Sequence, residues 1–260
     1  MAFYDLAKEQ RVRLVEKINR GVLADLQLGS HKNINRYFSD EDTYIRKTAY
    51  LAIGKIWKAN PALRGHTVTL LEDLYTSPLE KVRQTAINAA GEIGIRDFGL
   101  VEHFFDKGLF DGHPIVRNAV IGSVKKMGDK NPAPVLAWAK KYLHHPDKEV
   151  RREICHGIEL RGRTHPQDIL PLLQELQFDR TARVKNTLIH VLGQIAYKKG
   201  CLELVVQHLQ SWENQELVAK ALDEIIDVHH RYKTFAPLTQ KQAVDYIGQY
   251  FAWRGRGKNK

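Results

Sequence analysis

Five positively charged side chains recur at nearly the same interval along this 260-residue chain. Each follows a branched apolar residue, and the five are Arg46, Arg83, Arg117, Arg151 and Lys185. A cationic side chain can bind a carboxylate within the protein or a phosphate of a nucleic-acid backbone, and the guanidinium fork can bond two oxygens of either group at once. The spacing therefore predicts a row of cations whose partner is an internal carboxylate or an external polyanion.

The positions of these cations indicate a repeated structural unit. The branched residues before them, with one further valine, are spaced by 37 residues once and then by 34 four times: Ile45, Val82, Val116, Val150, Val184 and Val218. Apolar residues follow at offsets of 4, 7, 8 and 11, which mark one face of an α-helix. Another helical segment precedes each of these helices, and prolines fall where helices begin or turn. One helix pair per period predicts an all-α fold, an α-solenoid.

This pattern resembles HEAT repeats over about residues 30–230. The resemblance implies about six helix pairs whose second helices line the concave side of a superhelix. Residues 5–28 and 238–253 are expected to cap the two ends, and residues 254–260 to form a basic flexible tail. The sequence therefore predicts a single HEAT-like domain over residues 1–253.

Two interpretations of the repeated cation stay open at the level of sequence. In HEAT-like proteins such a cation commonly bonds a carboxylate in the loop of its own or the neighbouring repeat, which forms a structural ladder. Asp42 lies four residues before Arg46, as a ladder requires, and Asp147 has the same spacing from Arg151. The other carboxylates fit less well, namely Asp111 and Asp179, six residues before Arg117 and Lys185, and Glu80 near Arg83.

The second interpretation is a positively charged groove that follows a phosphate backbone. A ladder does not explain the further cations, which are Lys47, Lys125, Arg152, Arg161 and Arg163. With the five repeated cations and His190, they form the predicted nucleic-acid-binding set. Phosphate contacts release counterions, so binding would depend steeply on salt and little on base sequence.

The charge balance indicates which partners to expect. The net charge is +10, and a sustained positive potential attracts polyanions, so duplex or branched DNA is the first expected partner and an acidic protein the second. No apolar run approaches the ~18 residues that span a bilayer. The N-terminus carries charges throughout and does not resemble a signal peptide. We therefore expect a cytoplasmic protein that does not bind membranes.

The short motifs that carry cofactor or metal chemistry are absent from the sequence. It contains no P-loop, no G-x-G-x-x-G, no G-x-S-x-G and no H-E-x-x-H. Two cysteines cannot form a four-cysteine zinc site. The adjacent pairs His144/His145 and His229/His230 diverge by ~100° on a helix and cannot chelate one ion well. We therefore expect no cofactor and no metal.

Residues 100–230 resemble the bacterial alkylpurine DNA glycosylases of the AlkC/AlkD type. The shared texture is KNPAPVLAWAKKYLHHPDKEVRREICHGIELRGRTHPQDILPLL, where a Lys-x-Pro turn leads to an aromatic-bearing helix, a short Pro/Asp loop and an Arg-rich helix start. The resemblance implies a DNA alkylation repair superfamily in which the groove holds DNA and a damaged base is removed near an acidic residue flanked by tryptophans. It also aligns Arg152 with an arginine of that family that contacts the DNA backbone.

The catalytic residues of this family do not match the residues at the corresponding positions of this chain. Aligned through residues 130–132, the catalytic aspartate falls on or next to Arg117, and the flanking tryptophans fall near Asp111 and at His190. An arginine would oppose the positive charge that develops on the deoxyribose. Asp106 and Asp111 are the remaining candidates for a catalytic acid, which leaves enzyme activity an open question.

Three functions are therefore under consideration. The preferred hypothesis is DNA-backbone binding through a basic concave groove without base excision. The alternatives are a scaffold for protein–protein interactions, in which the cations serve the ladder or an acidic partner, and an active alkylpurine DNA glycosylase.

Overall fold

The computed structural model describes residues 2–252. In that range the chain forms α-helices and short 3₁₀ turns that are joined by loops, and it forms no β-strand. The chain is an all-α solenoid of helix pairs, which confirms the fold class predicted from the repeat spacing. The predicted basic tail, 254–260, and residue 253 lie outside the described residues. No helix in the described range is long and apolar enough to cross a membrane.

The chain packs as two compact units, of which the first is Met1–Pro134. Its helices are α1 (Lys8–Leu28), α2 (Lys32–Phe38), α3 (Thr43–Ala59), α4 (Arg64–Tyr75), α5 (Glu80–Gly94), α6 (Glu102–Gly108) and α7 (Pro114–Lys130). The second helices of its repeats are α3, α5 and α7, and each packs on the next. Helix α1 packs on α2 and α3.

The second unit is Val135–Lys260. Its helices are α8 (Pro132–Tyr142, which begins just before the division), α9 (Lys148–Gly157), α10 (Glu159–Gly162), α11 (Pro166–Gln174), α12 (Ala182–Ala196), α13 (Leu202–Leu209), α14 (Gln215–Arg231) and α15 (Gln240–Ile247). Helix α12 packs between α9 and α14, and α15 packs on α13 and α14. The helix that the sequence predicts from residue 149 is interrupted at Ile158, so α9 and α10 together form one second helix.

The apolar face of each second helix forms the core, as the offsets predict. In α12 the residues of this face are fully buried: Val184, Leu188, Val191, Leu192 and Ile195. Burying one such side chain stabilises the fold by roughly 1.5–3 kcal/mol, which outweighs the weak intrinsic helix preference of β-branched residues. Helix formation here is therefore a consequence of packing between neighbouring repeats.

Small residues allow neighbouring second helices to approach closely. A Cβ placed on Gly91 of α5 would lie 2.6 Å from Oγ of Ser123 in α7. A Cβ on Gly193 of α12 would lie 2.8 Å from Cγ of Glu224 in α14. A larger residue at either position would require the neighbouring side chain or helix to shift.

The domain boundaries stay a prediction. The chain packs as two units, whereas the sequence predicts one domain over 1–253.

Candidate nucleic-acid interface

Arg83 forms one rung of an internal ladder in the first unit. Its Nε and one terminal nitrogen donate to the two carboxylate oxygens of Asp111, at 2.8 and 3.0 Å. The other terminal nitrogen donates to the carbonyls of Ser77 and Pro78, in the loop before α5. The side chain of Arg83 is 18% exposed and that of Asp111 is 6% exposed. Arg83 is thus held between the loop of its own repeat and the loop of the next.

Arg151 forms the equivalent rung in the second unit. Its guanidinium donates to both carboxylate oxygens of Asp179, at 2.5 and 3.2 Å, and to the carbonyls of His145 and Pro146. Burial raises the pKa of Asp179, but the hydrogen bonds from Arg151 and Thr181 outweigh it and hold the pKa below its ordinary value. Both ladder arginines therefore have carboxylate partners within the protein.

The carboxylate of each rung comes from a different place than the local spacing indicated. In both rungs it lies 28 residues after the arginine, in the next repeat, whereas the sequence offered Asp147 to Arg151 and only Glu80 to Arg83. Asp42 and Asp147, the carboxylates with the predicted spacing, instead accept the backbone N–H groups of Tyr44 and Glu149. They cap the starts of α3 and α9, which is the ordinary role of an aspartate at that position.

The other repeated cations are held differently. Arg46 donates to the carbonyls of Asp40 and Glu41, and Arg117 donates to the carbonyl of Asp111 at 2.6 Å. Lys185 is half-buried on α12, and its charge helps to lower the pKa of Glu216. Arg46 and Arg117 are thus held by backbone carbonyls on the loop side of their second helices.

The two catalytic candidates differ in their surroundings. The Asp111 carboxylate accepts from Arg83, from the Tyr75 hydroxyl at 3.3 Å and from the backbone N–H of His113. Because both oxygens of the Asp111 carboxylate accept these hydrogen bonds, Asp111 has a structural role. Asp106 lies half-buried on α6, a first helix, and not on a second helix.

A second row of polar side chains lies one position further along each second helix. In the first unit these residues are Lys47, Gln84 and Asn118. In the second unit they are Arg152, Asn186 and Lys220. All six are exposed or half-buried, and all carry hydrogen-bond donors, whereas none is a carboxylate. We refer to these residues as the donor row.

The donor row of the second unit borders an open groove between α9 and α12. Its lining residues are Arg152, His156, Arg183, Asn186, Thr187 and His190. Glu149 lies at one edge, where it bonds Arg152 and Arg183 at 2.9 Å each. The Arg183 side chain is 61% exposed, so this arginine can turn towards a ligand in the groove.

The remaining predicted cations are ion-paired or half-buried. Arg161 bonds Asp168 at 2.6 Å. Arg163 bonds Glu159, and its guanidinium also donates to Gln194 at 3.0 Å. Lys125 lies half-buried on α7 in the first unit. Arg161 and Arg163 therefore contribute to the structure of the α10 region and not to the lining of the groove.

Sequence reasoning missed Arg183, Asn186 and Lys220 as parts of this surface. Asn186 and Lys220 follow Arg152 at the repeat spacing of 34 residues, which is a signal that the sequence contains. Arg183 lies one helical turn before Asn186 and so shares its face of α12.

Comparisons with known proteins support the fold. No protein-family model and no curated protein matches the sequence. Among solved structures, AlkD2 from Streptococcus mutans superimposes with a TM-score of 0.55 at 16% identity, over 78% of this chain and 97% of AlkD2. A chain from the Pds5–Scc1 complex gives a TM-score of 0.50 at 14% identity, over 85% of this chain and 40% of that one. The HEAT-like repeats protein of the archaeon Thermococcus onnurineus gives 0.44 at 17% identity, over 92% and 97%.

Identities this low show a shared fold and not a shared activity. The first comparison nonetheless covers nearly the whole of AlkD2. The chain therefore has an all-α solenoid fold that resembles the fold of AlkD2.

Proposed function

We propose that the groove between α9 and α12 binds the sugar–phosphate backbone of DNA without excising a base. The observation that carries this proposal is the composition of the groove lining. Two arginines, two histidines, one asparagine and one threonine line it, and no carboxylate does so among the residues that the structure describes. All six side chains can donate hydrogen bonds to phosphate oxygens, and the contacts would be independent of base sequence.

The ion pairs at the edge of the groove are compatible with phosphate binding. Glu149 is the shared partner of Arg152 and Arg183, and the pair with Arg183 is largely exposed to solvent. An exposed ion pair is worth about 0–1 kcal/mol, so exchanging the carboxylate for a phosphate costs little. Glu149 therefore acts as an internal competitor for the position that a phosphate would occupy.

The absence of base excision is proposed from the residues around the position that the alkylpurine glycosylases use. Arg117 falls at or next to the catalytic aspartate of that family, and Asp111 is bonded to Arg83 and Tyr75. The tryptophans among the described residues are at most 4% exposed, so none offers a ring face for stacking on an extruded base. These features support DNA binding without base excision, because the residues at these positions do not supply the groups that excision requires.

The test compares the affinity of three charge variants for a fluorescent DNA duplex. The double variant R152A/R183A should bind at least about tenfold more weakly, because it loses two phosphate contacts. The double variant K199A/K241A removes the same charge from residues outside the groove and should bind nearly as the unchanged protein does. E149Q removes the internal competitor and should bind more tightly.

The same affinities also define the contrary result. Equal losses in R152A/R183A and K199A/K241A would mean that only net charge matters, and the groove proposal would fail. Weaker binding by E149Q would point the same way. Incubation with alkylated duplex should release no 3-methyladenine or 7-methylguanine, and a released base would overturn the second half of the proposal.

A protein scaffold is the second candidate function. The locked arginines Arg83 and Arg151 and the amide groups of the donor row favour it, because amides donate to and accept from a polypeptide backbone. The Pds5–Scc1 structure shows that a similar fold occurs in a protein complex. Capture of a partner from a lysate that persists after nuclease treatment, together with no measurable affinity for DNA, would favour this function.

A further inference from the structure

Three potential metal ligands, two of them from the lining of the groove, converge in the second unit. They are His156 at the end of α9, Glu159 at the start of α10 and His190 on α12. One ligand atom from each residue lies within 4.8 Å of the others. His156 and His190 are separated by 34 residues, so they occupy the same position on two consecutive second helices.

One pair of ligand atoms in the cluster already has the separation that a tetrahedral site requires. Nε2 of His156 lies 3.2 Å from Oε2 of Glu159. Two ligands about 2.0–2.1 Å from a tetrahedral zinc ion are about 3.3 Å apart, so this pair already has the required separation. The ring of His190 lies 6.1 Å from that of His156, centroid to centroid, and its side chain is 46% exposed. Metal binding therefore requires this exposed ring to rotate towards the other two ligands.

The surroundings orient the carboxylate ligand. Arg163 bonds Oε1 of Glu159, while Oε2 faces His156. The same guanidinium donates to Gln194, and Glu159 itself is 1% exposed. Groups that hold metal ligands in position in this way commonly strengthen metal binding by 10–100-fold.

The local charge permits a divalent cation to enter. Glu149, Glu153 and Glu159 carry three negative charges that balance those of Arg152, Arg163 and Arg183. A cation with two charges is therefore not opposed by a net positive cluster. His156 and His190 also line the groove, so a coordination position opposite the protein ligands would open into it.

We propose that His156, Glu159 and His190 bind one divalent transition-metal ion, of which Zn²⁺ is the representative. Two histidines and one carboxylate form a ligand set that zinc accepts with the fourth position open to solvent or to a ligand. The proposal does not depend on nucleic-acid binding, because all three ligands belong to the protein.

The experiment uses the full chain without an affinity tag and measures Zn²⁺ binding by competition with a chromophoric chelator. The unchanged protein should take up one Zn²⁺ at this site, and Co²⁺ in its place should give the visible absorption of a four- or five-coordinate ion. H156A and H190A should each lose at least about 100-fold in affinity, since a lost ligand costs more than a lost orienting group. Circular dichroism verifies that both variants remain helical.

His144 provides the matched control. It is an exposed histidine that bonds Glu175 at 2.8 Å in the same unit, so it reproduces the histidine–carboxylate pair without the third ligand. H144A should bind Zn²⁺ as the unchanged protein does. The proposal is overturned if Zn²⁺ and Co²⁺ do not bind, or if H156A and H190A bind no more weakly than H144A.

Discussion

The substitution D179N tests how strongly the ladder holds consecutive repeats together. The Asp179 carboxylate accepts two hydrogen bonds from Arg151 and two from Thr181, and the ion pair is 14% and 5% exposed. An asparagine keeps one acceptor oxygen but presents an amide group to the guanidinium. Arg151 then keeps its bonds to the carbonyls of His145 and Pro146 and loses its counter-charge.

The expected loss follows from the exposure of the pair. Removing one partner of a fully buried ion pair costs about 3–5 kcal/mol. Because the arginine reaches solvent and retains its carbonyl partners, we expect a loss at the lower end, about 2–3 kcal/mol. For a chain of this size that corresponds to a fall in melting temperature of about 4–12 °C.

Thermal unfolding followed by circular dichroism measures this change, with denaturant titration as a second probe. The control is E216Q, which removes the exposed Lys220–Glu216 pair and should leave the melting temperature unchanged. If D179N unfolds at the same temperature as E216Q, the ladder does not stabilise the array, and Arg151 is available for a ligand.

Three further predictions concern acid, thiols and the tail. The pKa values of Asp111 and Asp179 lie below the ordinary 3.8. Their contribution to stability is therefore present above pH 3.8 and is lost as the pH falls through the lowered pKa of the folded state. Melting curves recorded at acid pH should show this loss of stability, and D111N and D179N should diminish it. Burial raises the thiol pKa of Cys155 and Cys201, so a chromogenic thiol reagent should react with them only on unfolding. Deleting residues 254–260 removes four cations and should reduce the salt dependence of DNA binding; an unchanged slope would exclude contacts between the tail and DNA.

Much of the fold could be predicted from the sequence because its determinants are periodic. The branched apolar residues recur at 34 residues, and their helical offsets predict both the second helices and the buried face. The apolar pattern weakens at Ile158, where α9 and α10 meet: offsets 7 and 11 from Val150 are Gly157 and Arg161, and the buried residues of α10 are Glu159 and Gly162.

The ladder was predicted as a type of interaction, but its partners were not. Counting back five residues from the branched residue of the following repeat gives Asp111 after Arg83 and Asp179 after Arg151, but Ser77 after Arg46. Local spacing within one repeat cannot identify these partners, because the contact is made between stacked repeats. The same comparison of equivalent positions brings His156 and His190 together.

The candidate interface is the feature for which the structure differs most from the prediction made from the sequence. For the first cation of each repeat the sequence left both a structural ladder and a binding groove open, and Arg83 and Arg151 bond carboxylates of the next repeat. The donor row, one position further along, instead borders the groove: Asn186 is exposed there, and Arg152 is half-buried and bonds Glu149 and Glu153. Side chains that are adjacent in sequence diverge by about 100° around a helix, so one faces the loops and the other faces the groove.

The salt dependence of DNA binding tests the proposed interface most directly. Affinities of the unchanged protein and of R152A/R183A are measured at several salt concentrations, and the logarithm of the binding constant is plotted against that of the salt. If both arginines contact phosphates, the slope of the variant should be shallower by about 2, since each contact contributes about 0.9. Parallel lines of equal slope would mean that neither arginine contacts a phosphate, and the proposed interface would be contradicted.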